Sequence, residues 1–382
     1  MPGFALWHLG FRPFYLLASL FSAVSVLLWV AQFSGYLPSA YLQGSIWHGH
    51  EMLFGYAIAV ITGFLLTAVR AWTGEPTPTG TPLMALAILW ICGRVLVLTP
   101  FAMAAAVVNA AFPVAVAVAI GIPLVRSHNV RNYFFIGLLL MVGALILTVH
   151  LAIQGYFAFS PQAGVQLALD LVLFMMVVMG GRVIPMFTSN GVPGAGATRQ
   201  ACVEKFALGT VILLFVADLL QFPRIATALI AVASALAHGA RLALWKPWRT
   251  LGTPLVWILH AAYAWIAMHL ALRGLSELEV LQGSFAIHAL TTGAIGGLTM
   301  GMMTRTARGH TGRPLIADGF EFAMFMLIQI AALVRVFGGM ASPAIYLPSI
   351  QVSGVLWAAA FGLYAMRYWS VLTRPRLDGK PG

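Results

Sequence analysis

Tyr133–Ala152 reads YFFIGLLLMVGALILTVHLA, a run without a single Asp, Glu, Lys or Arg. A helix must supply about 20 apolar residues to cross the hydrocarbon layer of a bilayer, and this run does so. Runs of the same kind recur on both sides of it. They place twelve expected spans at Phe14–Phe33, Leu42–Val69, Pro82–Thr99, Phe101–Val125, Tyr133–Ala152, Gln162–Phe187, Val203–Gln221, Ile225–Leu244, Pro254–Leu272, Val280–Met303, Phe320–Phe337 and Ile345–Trp369. Only Thr99-Pro100 separates the third from the fourth. The expected fold is therefore all-α, a polytopic membrane protein of about twelve transmembrane helices, with residues 1–382 forming a single transmembrane helical domain.

Composition agrees. Hydrophobic residues make up 61% of the 382 and charged residues 8%, whereas a soluble domain carries about a quarter charged. So few charges cannot cover a water-facing surface, so most of the surface must face the lipid bilayer. Met1–Gly10 has neither a basic start nor a small-residue cleavage site, so the first run reads as a span and not as a removed signal peptide. The net charge of +11 sits in short loops, without the basic block and interleaved aromatics of a nucleic-acid binder. Of the 21 Lys and Arg, only Arg224 and Arg273 fall in one set of connections, and Arg94 and Arg335 fall inside spans. The rest occupy the other connections and the tails. Short basic loops stay in the cytoplasm, so both termini are expected there. Cys92 and Cys202 form no CxxC pair and read as free.

Shifting the second span by 238 residues lays it on the tenth. His50 then meets His288, Gly55 meets Gly293, Gly63 meets Gly301, Arg70 meets Arg308, Thr73-Gly74 meets Thr311-Gly312, and Pro76 meets Pro314. In the sixth span Arg182 and Thr188 match Arg305 and Thr311 at their own offset, with no histidine. Spans two, six and ten are four apart, which points to internal repeats of four-helix units. Arg182 and Arg305 read as anchors at inner helix ends.

Ionisable groups inside a bilayer are costly and default to functional candidates. His48 and His50 lie in the outer half of the second span and His288 in the outer half of the tenth. His260 lies near the middle of the ninth. Neutral imidazoles bind iron, copper or zinc without bringing charge into lipid, and histidines facing across a helix bundle can hold a haem or metal. Any one of these histidines read alone is a polar helix contact; the set of four points to a cofactor. His150, at the outer end of the fifth span, and His269, toward the outer end of the ninth, read as helix-interface residues. His48 and His50 are two apart and face nearly opposite sides of a regular helix, so they suit two centres better than one. Glu51 is either a carboxylate that orients a ligating histidine, a proton carrier, a metal ligand or a carboxylate wetted at a helix end. Arg94 and Arg335 either face haem carboxylates or pair with Asp170 or Asp218.

Several segments carry a family resemblance. They are Leu9-Gly10-Phe11-Arg12-Pro13-Phe14, Trp47-His48-Gly49-His50-Glu51-Met52, Gly181-Arg182-Val183-Ile184-Pro185-Met186-Phe187-Thr188, His288-Ala289-Leu290, and Met303-Thr304-Arg305 with Gly309-His310-Thr311-Gly312-Arg313-Pro314. In this order they resemble the NnrS family. The resemblance implies a twelve-helix protein of the bacterial inner (cytoplasmic) membrane containing haem and copper. It implies a role against nitric oxide and nitrosative stress, often beside denitrification, with nitric oxide turned over or only bound and electrons drawn from quinol or a redox partner. Under this resemblance the expected haem ligands are His50 and His288, with His48 and His260 next in line and turned toward copper. A weaker resemblance is to the main subunit of haem–copper oxidases and nitric oxide reductases. The sixth span lacks a histidine, however, and no adjacent His-His pair exists. The alternative function is a secondary transporter of a metal or small molecule with a His-lined midplane site. Its broken helices would be expected at Pro123 and Pro185.

Overall fold

In a computed structural model the described residues are 3–37, 42 and 44–380. They contain no strand and fold as twelve long helices. These are α1 (Phe11–Phe33), α2 (Gly44–Thr73), α3 (Gly80–Leu96), α4 (Ala102–Arg126), α5 (Phe134–Ile153), α6 (Pro161–Gly191), α7 (Ala201–Leu219), α8 (Arg224–Leu244), α9 (Pro254–Glu277), α10 (Gly283–His310), α11 (Gly319–Ala341) and α12 (Tyr346–Thr373). Ten are long and apolar enough to span a membrane under a limit of two charges per window. The other two are α3, which is shorter, and α7, which carries Glu204, Lys205 and Asp218. The protein is thus an all-α polytopic membrane protein, and Thr99-Pro100 does lie between α3 and α4. Large apolar side chains such as Ile88, Val118, Leu229 and Leu236 remain exposed on the helices, as lipid-facing positions require. Pro123 and Pro185 do not interrupt the chain: α4 and α6 run through them. The end of each helix nearest the basic loops is called the basic end below, and the other the far end.

The chain divides into two compact units. Unit 1 comprises Met1–Ala168, Thr306–Pro314 and Tyr364–Gly382. Unit 2 comprises Leu169–Arg305 and Leu315–Leu363. In unit 1, α2 packs against α1, α3 and α4, and α4 packs along α5. In unit 2, α9 packs against α8 and α10, and α10 also meets α11.

The repeat is visible in the backbone. In α2, Glu51–Ala57 forms a seven-residue π-helical stretch directly after His50; in α10, Ala289–Ile295 forms another directly after His288. The two coincide residue for residue at the offset of 238. Such wide turns are rare insertions in α-helices and collect at functional sites. Each contains the matched glycine at its tightest contact. A Cβ on Gly55 would lie 2.6 Å from Arg94 Nη1 and 2.7 Å from Phe21, and one on Gly293 would overlap the Trp265 indole. The basic ends match as well. Thr73 Oγ1 donates to Val69 O at 2.7 Å, and Thr311 Oγ1 to Ala307 O at 2.6 Å. Gly74 and Gly312 both follow with φ +72°, the left-handed conformation that favours glycine after a helix. The middle helix of the expected series, α6, is α-helical throughout. A third π-helical stretch, Val334–Gly338, lies in α11 around Arg335.

Candidate metal centre and its surroundings

The first cluster builds from α2. His50 is the last residue before the wide turn and is fully buried; Glu51, the first residue within it, is 1% exposed. Glu51 Oε1 lies 2.7 Å from His50 Nδ1 and accepts from Arg94 Nη1 at 2.8 Å. The other nitrogen, His50 Nε2, faces His150 Nε2 at 3.0 Å across the α2–α5 gap. Arg94 also donates to Asn109 Oδ1, and the Asn109 amide donates to Ala105 O at 2.8 Å and Gly93 O at 3.2 Å. Trp90 closes the side of the wide turn with an indole N–H to Gly55 O at 3.0 Å.

Protonation follows from the partners. A carboxylate only accepts, so His50 carries its proton on Nδ1. His50 Nε2 is then a lone pair, and His150 Nε2 holds the proton between them. A buried carboxylate is costly unless paired; here Arg94 and His50 share that task. Carboxylate–imidazole pairs of this form orient metal-ligating histidines.

The expectation that Arg94 pairs with Asp170 or Asp218 is corrected by these contacts. Those aspartates belong to unit 2, where Arg273 of α9 donates to Asp218 and, at 3.3 Å, to Asp170. The corresponding expectation for Arg335 is corrected too. Arg335 lies over the Tyr346 ring at 5.6 Å, and among the described residues no carboxylate pairs with it. Glu51 is not a wetted helix-end group but a buried one. His48 is stacked on Trp29 of α1, with ring centroids 4.8 Å apart and planes 14° apart.

The remaining histidines lie in unit 2. His260, expected near mid-depth, is the seventh residue of the 24-residue α9 and so sits toward its basic end. The span was read as ending at Leu272, but the helix runs on to Glu277. His260 Nε2 lies 2.8 Å from Thr188 Oγ1, whose proton goes to Ile184 O at 2.8 Å. Close to this level, Arg241 of α8 pairs with Glu204 of α7 through Nε–Oε1 at 3.0 Å and Nη2–Oε2 at 2.5 Å, and donates to Tyr263 OH at 2.8 Å. The Tyr263 hydroxyl also contacts His238 Nδ1 at 2.6 Å. This network ties α6, α7, α8 and α9 together, while His238 Nε2 and His260 Nδ1 are buried with no hydrogen-bond partner among the described residues. Arg305 caps no carbonyl here; its guanidinium lies 3.9 Å over the Phe187 ring.

Toward the far end, His269 Nδ1 donates to Ala286 O at 2.8 Å and His288 Nδ1 donates to Ser284 O at 2.6 Å. A carbonyl can only accept, so both rings carry their proton on Nδ1 and present Nε2 as the lone pair. His269 is 1% exposed and its Nε2 has no hydrogen-bond partner among the described residues.

His150 and His269 are the residues that the sequence reading left as interface histidines. Their one available signal was depth: the sequence places each toward the same expected side of the bilayer as His50 and His288. The family model described as NnrS protein matches residues 5–376. No curated protein matches the sequence.

Proposed function

The chain belongs to the NnrS family, and from that premise we propose that it is a haem- and copper-containing protein of the bacterial inner membrane that protects the cell from nitric oxide. The observation that carries this reading is the buried His50–His150 pair backed by Glu51. Two imidazoles meeting at Nε2, one of them oriented by a carboxylate, form a donor set suited to copper. His50 and His150 would hold that copper, His150 as the tautomer with its proton moved to Nδ1, and Glu51 would fix the ring of His50. This revises the expected division, in which His50 served haem and His48 copper, because both nitrogens of His50 are engaged within unit 1.

Copper, when bound, supplies a one-electron centre able to take up nitric oxide. The surrounding residues prepare the place. Arg94 balances the charge of Glu51, and Asn109 anchors Arg94 to α3 and α4. Phe21, Phe54 and Trp90 surround the polar atoms and keep bulk water from them. Nitric oxide is small and uncharged, so it reaches a site inside hydrocarbon without an aqueous channel. Electrons would come from quinol or a redox partner.

The test is optical and metal analysis of the purified protein with and without nitric oxide. The expected result is a Soret band that shifts with nitric oxide and near-stoichiometric copper, with copper lost in His50→Ala and in His150→Ala. Protein with neither chromophore nor copper, showing substrate flux in proteoliposomes, would replace this reading with the transporter.

A further inference from the structure

The two repeats keep the same wide turns but differ in the residue that follows the histidine. In unit 1 the residue after the histidine is Glu51, and it neutralises Arg94 of the following helix. In unit 2 the same position is Ala289. The following helix again brings a buried arginine to its far end, Arg335, 7% exposed. Among the described residues its close electrostatic neighbour is Tyr346, and its Nη1 has no hydrogen-bond partner. A guanidinium held out of water is stabilised by an anion, and position 289 supplies none.

A second orphaned polar atom lies on α9, which like α11 packs against α10. His269 holds its ring by Nδ1–H to Ala286 O and leaves a buried Nε2 lone pair unused. Phe285, next to Ala286, sets its ring edge-on to Tyr346 with centroids 6.5 Å apart, and Arg335 covers that same tyrosine. His288, one helical step further along α10, presents the same tautomer. A buried imidazole lone pair and a buried guanidinium on helices that both pack against α10 suit one ligand that bears a metal and carries carboxylates.

We infer that the far end of unit 2 is the haem site, with His269 as an axial ligand through Nε2, Arg335 as the partner of a haem carboxylate, and His288 as the neighbouring imidazole on α10. This rests on the proposed haem- and copper-containing function and assigns to its haem residues distinct from the copper pair. Neutral imidazole with Nδ1 hydrogen-bonded to a backbone carbonyl is the form in which histidine ligates metals. Arginine is the cation suited to carboxylates in a dry site.

The experiment uses full-length protein purified in mild detergent and reads haem per protein, the Soret spectrum, copper per protein and the haem midpoint potential. His269→Ala is expected to lose at least ten-fold in bound haem and to regain a Soret band when imidazole is added to the medium. His269→Gln keeps an amide donor for Ala286 O and so preserves the helix contact, yet is expected to lose the haem as well. It serves if the alanine variant fails to accumulate. Arg335→Gln is expected to lower the midpoint potential, because an uncompensated carboxylate favours ferric iron, and His50→Ala is expected to lose copper while keeping the full Soret band. Wild-type protein that carries haem, with His269→Gln retaining it in full, overturns the inference and leaves the broader function standing. Haem lost in His50→Ala and kept in the His269 variants overturns it in the same way. Wild-type protein without haem overturns both.

Discussion

At the scale of single residues, the central point is that Glu51 serves two masters. It orients His50 and it neutralises Arg94, both in a volume closed to water. Glu51→Ala leaves a guanidinium buried without a charge partner, a defect of about 3–5 kcal/mol. Thermal unfolding in detergent should show that loss, together with weakened copper retention. Glu51→Ala combined with Arg94→Met removes both charges and should regain most of the stability but not the copper, because His50 still lacks its orienting carboxylate. Recovery of copper in the double variant would show that Glu51 acts only as a counter-ion. A second residue-scale case lies outside the spans. Arg376 holds Asp378 by two hydrogen bonds, at 2.8 and 2.6 Å, and pushes its carboxyl below the usual range. Arg376 also donates to His310 O, so the pair anchors the carboxy-terminal tail to the basic end of α10. A depressed carboxylate contributes stability above its ordinary value, about 4, and loses it as pH falls from there toward the lowered value. Amide exchange of the tail should therefore be slow at pH 7 and at pH 5. Asp378→Asn should exchange faster at both.

At the scale of elements, the wide turns of α2 and α10 decide which side chains meet. An α-helix would set His50 and Glu51 about 100° apart with the regular ladder continuing below them; the π-helical stretch widens the helix there and opens room beside Gly55 for Arg94 and Phe21. Gly55→Ala drives a methyl into that guanidinium, and overpacking of this kind costs about 1–3 kcal/mol. The expected readout is a lower unfolding temperature with copper reduced. An unchanged copper content would show that the turn tolerates the methyl by shifting. The spans, the repeat and the candidacy of His50, Glu51 and Arg94 were legible in the sequence, because hydropathy runs, buried ionisable residues and a fixed offset are one-dimensional signals. The pairing of Arg94 with Glu51 was not, since it depends on a local backbone insertion that apolar periodicity does not register. Nor was the contact of His50 with His150, residues a hundred apart in the chain, whose meeting is a property of how α5 packs in unit 1. Asp170 and Asp218 were plausible partners for any buried arginine by depth alone; helix packing gave them to Arg273.

At the scale of the whole molecule, charge placement carries the orientation. Basic loops flank the ends of helices such as α2, α4 and α8, while Arg224, near the far ends, is balanced locally by Glu277 and Glu279. Unbalanced positive charge on one side resists transfer across an energised membrane, and the locally neutralised far side does not. The basic side should then be cytoplasmic. The two cysteines provide a test that requires no fusion. Both are exposed and unpaired, but they differ in surroundings. Cys202 is the second residue of α7 at its basic end, next to a polar loop, whereas Cys92 lies within α3 among Ile91 and Val95, side chains open to lipid. A charged, membrane-impermeant maleimide needs thiolate in water, so it should modify Cys202 and spare Cys92. In intact spheroplasts neither should react. In inverted membrane vesicles one label per chain should appear, and Cys202→Ser should abolish it. Labelling of Cys202 in spheroplasts would reverse the orientation of the whole molecule, and with it the assignment of the His50–His150 pair to the outer half of the bilayer.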